Sequence, residues 1–205
     1  MLAVTRFSKL LLLSGCLSVA GCACVTTSID SELDEMVADV ANLYAADARL
    51  SVWEVKVNET SDGWTIEGKT DRKEALDELN SRLHAKKMPV DVRVTVLPQE
   101  NAQIGDKPWA LVNVSVATVK KEPRFAVAAT TQALAGTPLR LLEFKAPFWR
   151  VQMPDGYIGW VHRLQIVRMS EQEVSDWNAS RRVVVTARST TLTNENGTVL
   201  APLTA

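Results

Sequence analysis

The stretch from residue 136 to 161 constrains the fold more than any other part of the chain. It reads G-T-P-L-R-L-L-E-F-K-A-P-F-W-R-V-Q-M-P-D-G-Y-I-G-W-V. Two short apolar runs, 139–142 and 148–153, are parted by a polar break. Pro154-Asp155-Gly156 then turns the chain, and Tyr157-Ile158-Gly159-Trp160-Val161 begins a third run. Strand-length runs punctuated by Gly and Pro at this spacing predict a small, tightly turned all-β unit. Trp149, Val151 and Met153 alternate with Arg150 and Gln152, which predicts one buried face and one wet face. Gly159, inside a strand, predicts a bulge or a close backbone approach, as a small barrel needs at its corners.

The chain has 205 residues, enough for one or two small domains. Apolar residues make up 46% and charged residues 23%, a globular rather than a disordered composition. A net charge of −1 argues against a nucleic-acid partner, which calls for a basic excess. No apolar run is long enough for a spanning helix of a mature membrane protein. Cys16, Cys22 and Cys24 all lie near the amino end, so the remaining body can hold no disulfide, thiolate metal site or cysteine nucleophile. Residues 1–22 read as an export signal: Arg6 and Lys9, then an apolar segment over 10–20, then Val19-Ala20-Gly21-Cys22. The last four residues resemble a lipoprotein lipobox, which implies cleavage before Cys22 and acylation of its thiol. Leu13-Ser14-Gly15-Cys16 also fits, but behind a very short apolar segment, so Cys22 is preferred. The other readings are an ordinary signal with incidental cysteines and an uncleaved anchor. Loss of Arg6 and Lys9 takes the net charge from −1 to −3, and an acyl anchor holds a protein at a membrane surface without spanning it. Ala23 after Cys22 favours the outer membrane by analogy with other lipoproteins.

The next segment, 28–98, predicts an αββαβ domain. Ile29, Leu33, Met36, Val37, Val40 and Tyr44 recur at helical spacing, giving a helix over 31–46 with Ser31 and Asp34 as its cap. Trp53, Val55 and Val57 alternate with Glu54 and Lys56, Ser61-Asp62-Gly63 turns the chain, and Trp64 and Ile66 continue it. A second helix is expected over 71–87, with Asp71 and Glu74 as a capping box and Leu76, Leu79 and Leu83 as its stripe. Pro89 ends it, and Val90, Val92, Val94 and Val96 form a last strand. Both helices are expected on one sheet face. The other face, rich in Glu, Lys, Arg and Thr, is expected to stay wet. The order is similar to that of BON-type domains, although no residue motif marks it. His84 stands alone on the second helix and reads as a solvated surface residue.

Residues 99–108 read as a linker, and the all-β unit is expected over 109–167. Lys120-Lys121-Glu122-Pro123-Arg124 forms a polar loop. Ser170-Glu171-Gln172-Glu173 is a second capping box, with Met169 and Val174 as its hydrophobic staple, and Trp177 is expected to pack back on the barrel. A strand is expected over 182–187 and a turn-rich stretch over 190–197. His162 has no cysteine to pair with, so a surface or packing role is favoured. Trp109, Trp149 and Trp160 offer an aromatic ledge to a glycan or, for at least two of them, core packing.

Several of these residues in order carry a family likeness: Pro123, Gln132-Ala133-Leu134-Ala135-Gly136, Trp149-Arg150-Val151 and Asp155-Gly-Tyr-Ile-Gly-Trp160. Over about 109–167 the chain resembles a bacterial SH3 (SH3b) domain, and most closely the first SH3b domain of NlpC/P60 cell-wall cysteine peptidases. Residues 168–205 then resemble a short helix and the opening of a second, incomplete SH3b domain. The resemblance implies an SH3-like barrel and hence an α+β chain. It also implies a parent that cleaves between D-glutamate and a diamino acid. In that family the first SH3b domain walls one end of the active site, where an acid from its long loop and a tyrosine grip the free amino end of a cell-wall peptide. The matching positions are Glu122 and Tyr157; the alternative is a loop-surface acid and a barrel-wall aromatic. The chain departs from the family in having no body cysteine, so by itself it is not expected to be an enzyme. No cofactor or metal is implied. The expected partners are a muropeptide stem, the membrane through Cys22 and an NlpC/P60 catalytic domain. The alternative is a free-standing SH3b lipoprotein of the cell envelope that binds a protein or the wall. A spacer without a ligand is a third reading.

Overall fold

The computed structural model describes residues 29–99, 103–181, 186 and 189–204. Residues 1–28, with the three cysteines and the expected export signal, and all of the strand expected over 182–187 except Thr186, lie outside these residues.

The first helix, α1 (Ile29–Tyr44), buries Leu33, Met36, Val37 and Val40 of the predicted stripe, while Ile29 and Tyr44 at its two ends are exposed. It already runs from Ile29, so Ser31 lies inside its first turn rather than at its cap. Strands β1 (Trp53–Thr60) and β2 (Gly63–Thr70) pair antiparallel around the Ser61-Asp62 turn. Helix α2 (Lys73–Ala85) then crosses over to β3 (Val90–Val96), which lies parallel to β2, as a strand–helix–strand unit requires. Both helices pack on the sheet face that carries Val55, Val57, Trp64, Ile66, Val92 and Val94. The capping box at Asp71 and Glu74 is not formed. The cap position is Arg72 and makes no side-chain cap bond. Asp71 instead accepts the backbone N–H of Val52 at 2.6 Å. A backbone donor at the start of β1 has taken the carboxylate meant for the helix.

The second unit is all-β. Its strands are β4 (Trp109–Val112), β5 (Val116–Lys120), β6 (Ala129–Leu134), β7 (Pro138–Lys145), β8 (Phe148–Gln152), β9 (Ile158–His162) and β10 (Ile166–Met169). They form one antiparallel sheet in the order β10-β4-β7-β8-β9-β5-β6, wrapped on a core that includes Val112, Val119, Leu139, Leu141, Trp149, Val151 and Val161. Gly159 permits a close approach of β9 to β5: a Cβ there would stand 2.4 Å from Val119 Cγ1 and 3.0 Å from the Lys120 carbonyl. The chain is thus α+β, with an SH3-like barrel after the αββαβ unit. Within 99–108, Ile104 is buried in the barrel core, and the Arg168 guanidinium donates to the carbonyls of Ile104 and Lys107.

Helix α3 (Glu171–Ala179) starts with the expected box: Ser170 Oγ accepts from Glu173 N, and Glu173 accepts from Ser170 N. Trp177 returns to the barrel, where its indole N–H donates to the Gly136 carbonyl at 3.0 Å. Gly136 has φ +78, and a Cβ there would press on the Trp177 ring at 2.9 Å. In the tail, β11 (Ser189–Thr193) and β12 (Val199–Thr204) form a hairpin; part of the stretch expected to be turn-rich is therefore strand.

The two units are packed together. Val52 and Leu97 of the first meet Leu142 and Ile158 of the second in a separate apolar cluster. Ile158 N–H donates to the Arg49 carbonyl at 2.7 Å, and Gln99 N–H donates to the Leu142 carbonyl at 3.2 Å. Two expectations about wet faces change as a result. Arg150 was expected on the wet side of β8 but is only 8% exposed, because the first unit lies over that side. On the polar sheet face, Lys56, Glu67 and Arg93 do stay exposed, but Glu54 and Lys69 reach across the interface to Arg150 and Glu143.

Candidate functional site: a cleft between the two units

The interface leaves a cleft of about 440 Å³, within the usual range of small-ligand sites, roughly 300–1,000 Å³. One wall is the segment 48–54, with Arg49, Trp53 and Glu54. The other is Arg150, the Tyr157–Trp160 strand start, and Lys121 and Thr130 from either end of the long loop. Each side chain arrives by a local cause. Asp155 Oδ1 accepts the N–H of Tyr157 at 3.0 Å, and Gly156 takes φ +87, so the tight Pro154-Asp155-Gly156 turn delivers Tyr157 at the edge of β9. On the facing wall Asp47 holds Arg49 with Oδ1 3.0 Å from Nε and Oδ2 2.8 Å from Nη2. The side-chain hydrogen bond from Arg49, followed by that from its backbone N–H, draws the Asp47 carboxyl down to about 2, and the same pairing raises the Arg49 guanidinium.

The floor is an ion network. Arg150 Nη1 stands 3.0 Å from Glu143 Oε1, its Nη2 pairs with Glu54, and its guanidinium lies 4.8 Å from the Trp160 ring centroid. Glu143, 6% exposed, also pairs with Lys69. Burying charge is costly unless it is matched, and this network matches both buried members. The Tyr157 hydroxyl and the Lys121 ammonium make no hydrogen bond or ion pair among the described residues. The cleft therefore offers a phenol, close enough to the Arg49 guanidinium to interact with it, and an ammonium, neither holding a hydrogen bond among the described residues, over a floor whose charges are already paired.

The predicted site residues are separated by this geometry. Tyr157 lines the cleft. Glu122 is not among its lining residues: it follows Lys121 in the chain and forms an ion pair with Arg124, both side chains being well exposed. His84 is exposed on α2. His162 packs: its ring lies 5.3 Å from that of Phe148 and 5.4 Å from that of Phe125, and its Nδ1 accepts from Leu164 N–H at 3.4 Å. Trp149 and Trp160 are buried, and Trp109 is half-buried. Among the described residues no group of three His, Cys, Asp or Glu could hold a metal ion, and no helix is long and apolar enough to cross a membrane. The sequence reasoning missed Arg49, Trp53, Lys121 and Arg150 as cleft residues. Asp47-Ala48-Arg49 was the one local signal, an acid and a base two apart in a loop.

The family model described as Bacterial dipeptidyl-peptidase Sh3 domain matches residues 119–166, which run from the end of β5 to the start of β10. No curated protein matches the chain. Among solved structures, an NlpC/P60 endopeptidase from Photobacterium damselae subsp. piscicida is similar, with a TM-score of 0.34 and 11% identity over 84% of this chain. The chain spans only 42% of that protein's length, and a likeness of that size fixes neither a substrate nor a site. The matched residues fall within the barrel, which over 119–166 is similar to a bacterial SH3 domain of dipeptidyl-peptidase type.

Proposed function

We propose that this chain is a cell-envelope module that recognises the stem peptide of peptidoglycan, the non-catalytic part of a γ-D-glutamyl-diamino acid endopeptidase whose catalytic domain is not in these residues. The observation that carries the reading is the position of Tyr157, a phenol holding no hydrogen bond among the described residues, in a cleft between an SH3b barrel and the unit packed on it. In this reading the peptide's amino end meets the Tyr157 hydroxyl and the Glu122 carboxylate. A phenol gives a directional hydrogen bond and a carboxylate gives the matching charge. Glu122 must exchange Arg124 for the ligand. Exposed pairs of that kind contribute only about 0–1 kcal/mol, so the exchange is cheap. Acylation at Cys22 holds the module at the outer membrane, where its ligand is found.

The test is a titration of the chain with a stem peptide bearing a free L-alanine amino end and with the same peptide acetylated. Saturable binding that acetylation abolishes, and that Glu122→Gln or Tyr157→Phe weakens about 10-fold (roughly one hydrogen bond to a charged group), supports the reading. Equal binding of both peptides refutes it. For the anchor, the chain is expected to incorporate labelled fatty acid and Cys22→Ser to abolish it; label retained in the variant excludes Cys22 as the acylated residue.

A further inference from the structure

A second concavity lies on the barrel, lined by other residues. It has a volume of about 710 Å³ and is bounded by Trp109, Pro138, Arg140, Gln152, Met153, Pro154, Gly156 and Asn178. Its floor is set by strand register. Trp109 of β4 pairs with Arg140 of β7, and Arg140 pairs with Gln152 of β8. Directly paired residues of antiparallel strands share a sheet face, so an indole, a guanidinium and a carboxamide stand abreast on the outer face. The next residues inward along these strands, Ala110, Leu139, Leu141 and Val151, are buried in the core. None of the three side chains makes a hydrogen bond or ion pair among the described residues. Arg140 in particular is exposed and has no carboxylate partner among the described residues, whereas Arg150 and Arg168, in the same barrel, are both committed to protein groups.

We infer that this groove is a saccharide-binding site, distinct from the peptide cleft. A pyranose ring has one face of C–H bonds, weakly positive, and a rim of hydroxyls. The C–H face suits the negative face of an indole. The rim needs groups that give and take hydrogen bonds in a plane: a guanidinium supplies a fork of donors, and a carboxamide supplies both a donor and an acceptor. Trp109, Arg140 and Gln152 supply that set side by side. Among the described residues no carboxylate lines the groove and Arg140 is the one cation, so a neutral or mildly acidic sugar is the fitting class. The volume is within the roughly 300–1,000 Å³ of small-ligand sites and suits a short oligosaccharide. Gly156 lines this groove and Tyr157 the cleft, so a single turn separates the two sites. Neither Tyr157 nor Glu122 lines this groove, so sugar binding here is independent of peptide binding in the cleft.

The test is calorimetric titration of the full chain with two neutral tetrasaccharides, chitotetraose and cellotetraose, with tryptophan fluorescence recorded in parallel. Saturable binding of either sugar is expected, with a change in indole emission, loss of at least 10-fold in affinity on Arg140→Ala, and loss of binding on Trp109→Ala. Trp109 is half-buried, so the circular dichroism and melting temperature of each variant are compared with the parent. Gln152→Ala, a milder change, gives a further reading if the tryptophan variant fails to fold. Tyr157→Phe should leave sugar binding unchanged. No binding of either sugar at millimolar concentration overturns the inference, as does binding that Arg140→Ala and Gln152→Ala both leave intact.

Discussion

The packing of the two units hangs on Arg150, and its removal has a calculable effect. Arg150 is 8% exposed and faces Glu143, which is 6% exposed, at 3.0 Å. Arg150→Ala leaves the Glu143 carboxylate buried beside Lys69 alone, whose own side chain is 41% exposed. Removing one partner of a buried pair costs roughly 3–5 kcal/mol because the other charge stays behind unmatched. The surviving Lys69 puts the expected cost at the low end, about 3 kcal/mol. The cause is the orphaned charge rather than lost attraction, so replacing both members by apolar residues should be far milder. Arg150→Met with Glu143→Leu is expected within about 1 kcal/mol of the parent. The assay is urea unfolding of the parent, both single variants and the double, with stability read from midpoints at matched slope. A cost below about 1 kcal/mol for Arg150→Ala, the range of exposed pairs, would refute the reasoning, because it would mean that Arg150 is solvated and the first unit does not lie on β8.

Further outcomes follow from other positions. The Asp47 carboxyl should titrate at about 2 by NMR and return toward 3.8 in Arg49→Ala. Its folded value is depressed, so its hold on Arg49 is complete above pH 3.8 and is lost as the pH falls through about 2; an unchanged midpoint in the variant would contradict the assignment. Gly159→Ala should destabilise the barrel by about 1–3 kcal/mol through overpacking against Val119, read as a lower urea midpoint. Ser170→Ala should cost about 1 kcal/mol as a lost helix cap, read as a lower urea midpoint, while the backbone N–H at 170, the main group holding the Glu173 carboxyl below its usual value, is retained.

What could be read in the sequence was local. The valine alternation of β3, the stripe of α1, the Ser170–Glu173 box and the turn before Tyr157 each depend on neighbours within a few residues, and each formed as expected. The two failures at Asp71 and Arg150 share a cause. Asp71 serves Val52, 19 positions away, and Arg150 serves Glu54, 96 positions away. An alternating pattern marks which side of a strand is polar, but not whether another unit will cover that side. The site behaved likewise. Tyr157 was legible from the likeness to SH3b domains, whereas Arg49 and Trp53 become cleft residues only through how the first unit packs.

The central claim is that the cleft receives the amino end of a peptide, and amide shift mapping tests it most directly. Adding the free-amino stem peptide to isotope-labelled chain is expected to move the signals of Tyr157, Ile158, Arg49 and Lys121, and the acetylated peptide is expected to leave them in place. Shifts confined to other faces, or equal shifts with both peptides, would contradict it.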